Sequence, residues 1–207
     1  MLGTRPDIAY AVTKMLQFLA NPSQEHLNKA LYICHYLSST RDYKLTYGHT
    51  SQGLIAFADS DWGSDPHTRR STSGHLVFLG GTAISWLSRA QKTVALLSTE
   101  AEYLSLSDTC RQVVWINSVL RELHIQVHSV PLCGDNQGSI FIATNAVQEK
   151  RTKHIDIRYH YIRQVVEQGE VTLYYVPSEQ NPADMLTKNL ARDKFLNCRK
   201  GLGITFS

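Results

Sequence analysis

The apolar residues of the chain follow two different spacings, one typical of helices and one typical of strands. Over the first fifty residues the spacing is helical. It predicts a helix over residues 5–19 and a second helix that begins after the N-cap Ser23 and ends near Ser39. The apolar positions expected to face inward in the second helix are Leu27, Leu31 and Ile33. The polar, turn-rich stretch that follows predicts a domain boundary near residue 50.

Beyond residue 50, short apolar runs bounded by turn residues alternate with longer helical segments. The runs that predict strands are residues 54–59, the two halves of HLVFLGGTAISWLS, then VPLCGD and VTLYYVP. The Gly80-Gly81 pair predicts a tight hairpin within the second run. The segments that predict helices are residues 98–123, NQGSIFIATN, residues 152–167 and NPADMLTKNL. This order predicts an α/β domain with a mixed sheet, antiparallel at the front and joined by crossover connections later.

Composition narrows the class of protein without indicating its activity. The chain has 207 residues, of which 43% are hydrophobic, and this suits one globular domain plus a smaller piece. The formal net charge of +3 does not indicate a strong polyanion binder, so local basic patches matter more than the total. No apolar run approaches the length of a membrane span, and the start has no signal-peptide core. We therefore expect an intracellular protein, cytoplasmic or nuclear, whose four widely spaced cysteines are reduced thiols.

Carboxylates stand where two of the predicted strands end. Asp59 closes the first strand in the segment IAFADSDWGSD, and Asp135 closes the strand in LCGDNQ. If these strands are parallel neighbours, both aspartates lie at the same edge of the sheet, beyond the carboxyl ends of the strands, where open α/β sheets bind their ligands.

The long predicted helix contains two glutamates, and helical geometry separates them. At about 100° per residue, one stripe of this helix is apolar. That stripe contains Leu106, Cys110, Val113 and Leu120. Glu102 falls on it and Glu100 falls well off it. A carboxylate on a buried face is costly unless something pairs with it, so Glu102 is the candidate functional residue.

Asp184 completes the set, in the first turn of the last predicted helix, which has Asn181 as its cap and Pro182 at its first position. An acidic residue there also has a purely structural explanation, because it favours the helix dipole. Its candidacy therefore depends on the other three carboxylates. Four such hard oxygen ligands meeting at one sheet edge would select Mg²⁺ or Mn²⁺ rather than zinc.

Several longer motifs together resemble a known family. They are FADSDWGSD, STSGHLVFLGGTAISWLSRAQKTVALLSTEAEY, DNQGSI, RTKHIDIRYHYIR and YVPSEQNPADMLTK. In this order and spacing they resemble the ribonuclease H region of copia-type LTR retrotransposon polyproteins. The front part, TRPDIAYAV through HYLSSTRDYKLTYG, is similar to the end of the reverse transcriptase in the same polyproteins. The resemblance implies a helical, thumb- or connection-like tail over residues 1–50. It also implies a ribonuclease H-like domain over residues 51–207, with a five-stranded mixed sheet flanked by helices.

The same resemblance implies an activity. It is two-metal hydrolysis of the RNA strand of RNA–DNA hybrids, with two Mg²⁺ ions, or Mn²⁺ in their place, as the cofactor. The family's four acidic positions fall on Asp59, Glu102, Asp135 and Asp184. Asp61 is a reserve ligand in case the first strand ends one residue later. The expected partners are the hybrid and the upstream reverse transcriptase of the same polyprotein, in a cytoplasmic virus-like particle or the nucleus, with no membrane and no small-molecule cofactor.

Two departures from the family's pattern leave alternatives open. Cellular members have a histidine in the loop before the last aspartate that helps the product leave. Residues 177–181 contain none, and Glu179 is the candidate substitute. The Tyr-x-Asp-Asp hairpin of a polymerase is also absent, so the chain is not expected to polymerise. The alternatives are an idle nucleic-acid-binding remnant of a truncated polyprotein and a different metal nuclease on the same fold, such as an integrase or resolvase.

Basic residues mark the expected contacts with nucleic acid. The candidates are Arg69 and Arg70 after the first aspartate, and Lys153, His154, Arg158 and Arg163 on one predicted helix. They would neutralise phosphates and make binding salt-dependent. Asn136 is expected near the sugar 2′-hydroxyl groups that distinguish RNA from DNA.

Overall fold

One mixed sheet of five strands organises the described part of the chain. The computed structural model describes residues 3–47, 50–145 and 153–206, with the side chains of 153–157 and 159 outside that description. The helices are α1 (Ala9–Leu16), α2 (Gln24–Ser39), α3 (Ser98–Glu122), α4 (Gln137–Thr144), α5 (Lys153–Glu167) and α6 (Arg192–Gly201). The strands are β1 (Tyr43–Leu45), β2 (Ile55–Ser60), β3 (Thr72–Leu79), β4 (Thr82–Ala90), β5 (Val130–Gly134), β6 (Val171–Tyr175) and β7 (Ile204–Phe206). Short 3-10 helices cover Pro6–Ile8, Ser178–Gln180 and Pro182–Leu186.

The strand order β4-β3-β2-β5-β6 confirms the predicted α/β architecture. β2, β3 and β4 pair antiparallel, whereas β2, β5 and β6 pair parallel. The two-residue turn between β3 and β4 is the predicted hairpin, and both of its glycines have positive φ, 61° at Gly80 and 79° at Gly81. Because β2 and β5 are parallel neighbours, their carboxyl ends lie at one edge of the sheet.

Apolar residues cover both faces of this sheet. On one face α3 packs against β2 and β3 through a buried stripe that includes Leu106, Cys110 and Val113. On the other face a second core joins the sheet to the 3-10 helix Pro182–Leu186 and to the chain around β7. A sheet buried on both faces explains why its strands read as nearly continuous apolar runs.

The first fifty residues differ from the prediction in their burial. The capping role of Ser23 is confirmed. The Oγ of Ser23 accepts from the backbone N–H of His26, and the ring of His26 accepts from the backbone N–H of Ser23. The prediction that Leu27 and Leu31 face inward is wrong, since their exposed fractions are 50% and 48%. A helical stripe shows where an apolar face would lie, but it does not show whether another element covers that face.

The strands β1 and β7, the helix α6 and the 3-10 helix Ser178–Gln180 were not predicted, and two predicted helices are shorter than expected. β1 and β7 form a separate antiparallel pair, which joins residues 43–45 to residues 204–206, and α6 precedes β7. Three-residue strands lack the alternation on which a strand prediction rests. The helix predicted over residues 5–19 is a 3-10 turn followed by α1, and NPADMLTKNL forms a 3-10 helix. The division at residue 50 stays a prediction.

No helix in the described ranges is long and apolar enough to cross a membrane. The four cysteines are free thiols, with Cys110 and Cys133 buried, Cys34 exposed and Cys198 between these extremes.

A buried histidine in β3 predicts acid sensitivity. His75 is 6% exposed, and burial lowers its pKa to about 4; Asp108 opposes this shift and Arg89 adds to it. The unfolded chain takes up the proton near pH 6.5 and the native chain near pH 4, so stability is lost as the pH falls between these values. We expect the unfolding free energy to fall by about 2 kcal/mol more between pH 7 and pH 5 in the native sequence than in His75→Gln.

Urea unfolding at both pH values measures this difference. His67→Gln, which removes an exposed histidine, is the matched control and should follow the native profile. Parallel profiles for the native chain and His75→Gln would contradict the expectation.

Candidate metal centre

Three aspartates converge at the sheet edge where β2 and β5 end. Asp59 is fully buried next to the last residue of β2, Asp135 directly follows β5, and Asp184 lies in the 3-10 helix Pro182–Leu186. Each offers a carboxylate oxygen, and the three oxygens lie within 4.8 Å of one another. Asp59 and Asp135 meet because their strands are parallel neighbours, as the sequence indicated. Asp184 joins them because its 3-10 helix crosses the sheet at this edge.

Two features fix the 3-10 helix against the sheet. Gly74 in β3 is the register partner of Asp59. A Cβ atom at Gly74 would stand 2.8 Å from both Leu186 Cβ and Thr187 Cγ2, so only glycine permits this approach. The side chain of Asn181 caps the helix by accepting from the N–H of Ala183 and donates to the Ala58 carbonyl, 2.9 Å away. Asp184 is therefore held beside the end of β2 by contacts on both sides.

Glu102 lies on the buried face of α3 and reaches the same edge. Its side chain accepts from the backbone N–H of Ser60 at 3.3 Å, and the residue is 8% exposed. Burial raises its pKa well above the ordinary value, and Asp59 and Asp135 raise it further. Glu100 is more exposed and accepts from the N–H of Leu96 at 2.7 Å. The burial expected from the helical stripe is thus observed, while the ligand role of Glu102 stays a prediction.

Asp61, the reserve ligand, forms hydrogen bonds within the loop that follows β2. One of its oxygens accepts from the N–H of Thr72 at 2.7 Å, and the other accepts from the hydroxyl of Ser64. β2 ends at Ser60, and Asp61 is not part of the converging group of aspartates. Its carboxylate closes the loop over residues 61–71 onto the start of β3.

Two lysines that the sequence reasoning missed lie among the carboxylates. Lys188 Nζ is 3.3 Å from Asp59 Oδ1 and 2.9 Å from Asp184 Oδ1. Lys194, from α6, donates to the other oxygen of Asp184 and, at 3.1 Å, to the Ser178 carbonyl. The pairing of Lys188 with Asp184 could have been predicted from the sequence, because residues four positions apart share a helical face. Lys194 reaches the site only through the tertiary fold.

Two hydroxyl groups complete the hydrogen bonds of the cluster. Thr187 donates to Asp59 Oδ2, and Ser178 donates to Asp135 Oδ2. Even with these donors, burial raises the pKa of Asp59 to about 7; Lys188 opposes the shift, and Asp184 and Asp135 increase it. Burial lowers the pKa of Lys188, but Asp59 and Asp184 outweigh that effect and raise it. The protein thus gathers more negative charge here than its own donors neutralise.

The donor set fits a divalent cation. Four carboxylates, those of Asp59, Glu102, Asp135 and Asp184, stand against the ammonium groups of Lys188 and Lys194, which leaves two negative charges at full ionisation. Uncompensated buried charges are costly, and a cation relieves that cost. Oxygen-only ligands select hard divalent ions over zinc. The cluster could therefore hold a divalent metal ion.

The predicted nucleic-acid contacts are distributed over three regions. Arg69 and Arg70 are exposed in the loop after β2, and Arg69 has a positive φ of 55°. The Asn136 side chain is the N-cap of α4 and accepts from the N–H of Ser139 at 2.8 Å. Arg163 is half-buried, and its Nε has no hydrogen-bond partner among the described residues. The side chains of Lys153 and His154 lie outside the described part of α5.

Arg158 belongs to a cluster centred on Asp108 of α3. Its Nη1 donates to Asp108 Oδ1 at 3.1 Å, and Arg89 and Arg111 also pair with this carboxylate. The cluster borders an open cavity of about 650 Å³ between β4, α3 and α5. Three guanidinium groups on one carboxylate leave a positive surface beside the middle of α3.

The sequence of the chain is similar to segments of much longer proteins. The retrovirus-related Pol polyprotein from transposon TNT 1-94 of Nicotiana tabacum is 39% identical over 204 residues, which is 99% of this chain and 15% of that protein. The corresponding polyprotein from transposon RE1 of Arabidopsis thaliana is 41% identical over 206 residues, 98% of this chain and 14% of that protein. The chain thus spans about 15% of the length of these curated relatives. No protein-family model matches the chain.

Comparisons of structure show the fold. LC11-RNase H1, isolated from compost, superposes with a TM-score of 0.50 at 15% identity, covering 65% of this chain and 92% of that one. The same enzyme in complex with an RNA/DNA hybrid also gives 0.50, at 16% identity, covering 69% of this chain and 99% of that one. The foamy viral protease-reverse transcriptase in complex with dsDNA gives 0.52 at 12% identity, covering 84% of this chain and 34% of that one. The chain therefore has a ribonuclease H-like fold, as the sequence resemblance implied.

Proposed function

Because the chain belongs to the Pol polyproteins of copia-type retrotransposons, we propose that it is their ribonuclease H segment. In this proposal it is a metal-dependent endonuclease that hydrolyses the RNA strand of RNA–DNA hybrids during reverse transcription. The observation that carries the proposal is the convergence of Asp59, Asp135 and Asp184 within 4.8 Å at the carboxyl ends of two parallel strands.

The roles of the residues follow from their positions. Asp59, Glu102, Asp135 and Asp184 would hold the metal. When bound, the metal supplies a Lewis acid at the scissile phosphodiester and lowers the pKa of the attacking water. Thr187 and Ser178 orient the carboxylates of Asp59 and Asp135 through their hydroxyl groups. The backbone N–H of Ser60 orients Glu102, and Asn181 holds the 3-10 helix of Asp184 against β2.

Mg²⁺ is the metal we propose, as a pair of ions, with Mn²⁺ as the alternative. Both are hard ions that oxygen ligands select. A pair of ions supports a displacement by stabilising both the attacking and the leaving oxygen. At full ionisation, two negative charges remain in the cluster after the two lysines are counted, and this is the physical reason why it would bind cations.

The substrate would lie across the sheet edge and reach the basic surfaces on either side. Arg69 and Arg70 lie in the loop that Asp61 closes, Arg158 and Arg163 lie on α5, and Asn136 follows Asp135 directly. We also propose that Lys153 and His154 contact the hybrid. The partner that presents this hybrid would be the upstream reverse transcriptase of the same polyprotein, in a cytoplasmic virus-like particle or the nucleus.

The loop before Asp184 raises the question of product release. Glu179 is exposed in the 3-10 turn Ser178–Gln180, next to the residue that donates to Asp135. Its exposure leaves it free to meet an emerging product strand. Its role in place of the missing histidine stays a prediction.

Cleavage of a strand-labelled hybrid in Mg²⁺ tests the proposed function. Double-stranded DNA and double-stranded RNA serve as competing substrates, and Asp135→Asn purified in parallel measures contaminating nuclease. Cleavage of the RNA strand alone, absent with Asp135→Asn, is the expected result. Cleavage of double-stranded DNA would indicate a different nuclease on this fold. Salt-sensitive binding without cleavage would indicate an idle nucleic-acid-binding remnant.

The loop arginines give a separate, quantitative expectation for binding. If Arg69 and Arg70 each contact one phosphate, their joint replacement by alanine makes the slope of log K against log salt shallower by about 2 units, since each contact contributes about 0.9. Titration of a labelled hybrid at four salt concentrations measures the slope. The matched control replaces Lys29 and Arg41, an exposed pair of basic residues from the first fifty positions. Equal slopes in both double variants would exclude a specific contact.

A further inference from the structure

Lys188 occupies an unusual position among the carboxylates of the cluster. Its single ammonium group bridges Asp59 Oδ1 at 3.3 Å and Asp184 Oδ1 at 2.9 Å. The carboxylates it joins are buried, with side-chain exposures of 0% and 3%, whereas the lysine side chain itself is 37% exposed. A partly solvated cation is thus bound to the two most buried ligands of the proposed metal centre.

Every oxygen of these two aspartates already accepts a hydrogen bond or an ion pair from the protein. At Asp59 the donors are Lys188 and Thr187, and at Asp184 they are Lys188 and Lys194. Each oxygen keeps a second lone pair, but an ammonium group and a metal ion on the same carboxylate repel each other at close range because their charges are alike. A metal ion that binds both aspartates therefore competes electrostatically with Lys188, the ammonium group that bridges them.

A substrate phosphodiester would offer the ammonium group of Lys188 another partner. Lysine has four side-chain carbons and three donors that reorient freely. A phosphodiester presented to the cluster brings a negative charge that can accept these donors. Exchange of carboxylate for phosphate would let Lys188 keep its ion pair while the metal takes the aspartate oxygens.

We propose that Lys188 is an internal counter-cation that competes with the divalent ion for Asp59 and Asp184, and so couples metal binding to the arrival of substrate phosphate. This inference rests on the proposed function, because it takes the cluster to be the metal centre. According to this proposal, the chain alone binds the metal ion weakly, and it binds the ion more tightly when a nucleic-acid strand contacts Lys188. Reciprocity requires that metal then tightens the binding of that strand by the same factor.

Calorimetric titration of the chain with Mn²⁺, without nucleic acid, tests the competition directly. Lys188→Met keeps most of the side-chain volume and removes the charge, and we expect it to bind Mn²⁺ at least tenfold more tightly than the native chain. Lys188→Arg keeps the charge and should bind as weakly as the native chain. Lys200→Met, on the exposed side of α6, is the matched control and should leave the affinity unchanged. Equal or weaker binding by Lys188→Met would overturn the proposal.

The same titration with a bound, uncleavable hybrid of 2′-O-methyl RNA and DNA tests the coupling. The hybrid should raise the Mn²⁺ affinity of the native chain by a larger factor than that of Lys188→Met. Equal factors would overturn the coupling. Circular dichroism checks that each variant folds, and Lys188→Gln replaces the methionine variant if that one does not fold.

These outcomes separate the inference from the proposed function. Tighter Mn²⁺ binding by Lys188→Met, together with an uncut natural hybrid, would support the inference and count against the nuclease. Cleavage of the hybrid with unchanged metal affinity in Lys188→Met would do the reverse. No Mn²⁺ binding by any variant would overturn the inference, because the cluster would then not be a metal centre.

Discussion

Replacement of Asp59 by asparagine is expected to lower the rate of RNA-strand cleavage by ~10²–10³-fold or more and, at the same time, to stabilise the folded protein. Asp59 is the most buried of the converging carboxylates, at 0% exposure. Asparagine keeps the shape of the side chain and an oxygen that can accept from Thr187, but it removes the negative charge that a metal ion requires. Electrostatic contributions of this kind in a closed site are worth a factor of ~10²–10³ or more for a single group.

The gain in stability follows from the pKa of Asp59, which burial raises from 3.8 to about 7 even with Lys188 beside it. A carboxyl group whose pKa is raised on folding destabilises the native state above its unfolded pKa. The cost grows as the pH rises toward 7 and is absent near pH 4. Asp59→Asn should therefore raise the unfolding free energy by about 2–4 kcal/mol at pH 8 and by almost nothing at pH 4.

Urea unfolding in a chelator at both pH values measures the stability, and single-turnover cleavage of a labelled hybrid measures the activity. Asp193→Asn, which changes an exposed aspartate of α6, is the matched control and should alter neither quantity. An Asp59→Asn protein that cleaves within tenfold of the native rate would remove Asp59 from the catalytic set. A loss of activity together with a loss of stability would show that Asp59 acts mainly on the fold.

The main parts of this candidate site could be predicted from the sequence because they depend on patterns within single helices and strands. Asp59 and Asp135 end apolar runs that read as strands, and parallel strands bring their carboxyl ends together. Glu102 was separated from Glu100 by the angle between successive helical residues, and only Glu102 is buried. The fold class followed from the order of elements, together with the family resemblance. Each inference required only periodicity over one element and the rule for joining two strands.

The remaining parts depend on contacts between distant segments, which periodicity does not contain. Lys194 reaches Asp184 from another helix, and Ser178 reaches Asp135 across 43 positions. Leu27 and Leu31 follow a helical stripe, yet no described element buries them. Gly74 reads as an ordinary residue within a strand, since nothing nearby in the sequence shows that the 3-10 helix will pack on it. Its importance is visible only in three dimensions.

Gly74→Ala is consequently expected to damage both the fold and the site. The added Cβ would stand 2.8 Å from Leu186 Cβ and 2.8 Å from Thr187 Cγ2, closer than carbon atoms approach, and 3.3 Å from the Ala183 carbonyl oxygen. The 3-10 helix must then move away from β3. This movement would displace Asp184, which lies in the helix, and Thr187 and Lys188, which directly follow it. Overpacking of this kind costs about 1–3 kcal/mol, to which the lost contacts of the buried Leu186 add.

We expect Gly74→Ala to lower the unfolding free energy by about 2–4 kcal/mol and to reduce cleavage at least ~10²-fold, since a displacement of about 1 Å in a catalytic site has this effect. Gly53→Ala is the matched control, because a Cβ at Gly53 meets nothing within 4 Å. Urea unfolding and hybrid cleavage are measured on both variants, with Mn²⁺ titration as a third readout that reports on Asp184 without substrate. If Gly74→Ala unfolds with the control and cleaves at the native rate, the close approach of the 3-10 helix to β3 does not hold Asp184 in place. If Gly74→Ala is destabilised but binds Mn²⁺ and cleaves normally, the sheet accommodates the added methyl group. The hydrogen bond from Asn181 to the Ala58 carbonyl is then the contact that positions Asp184.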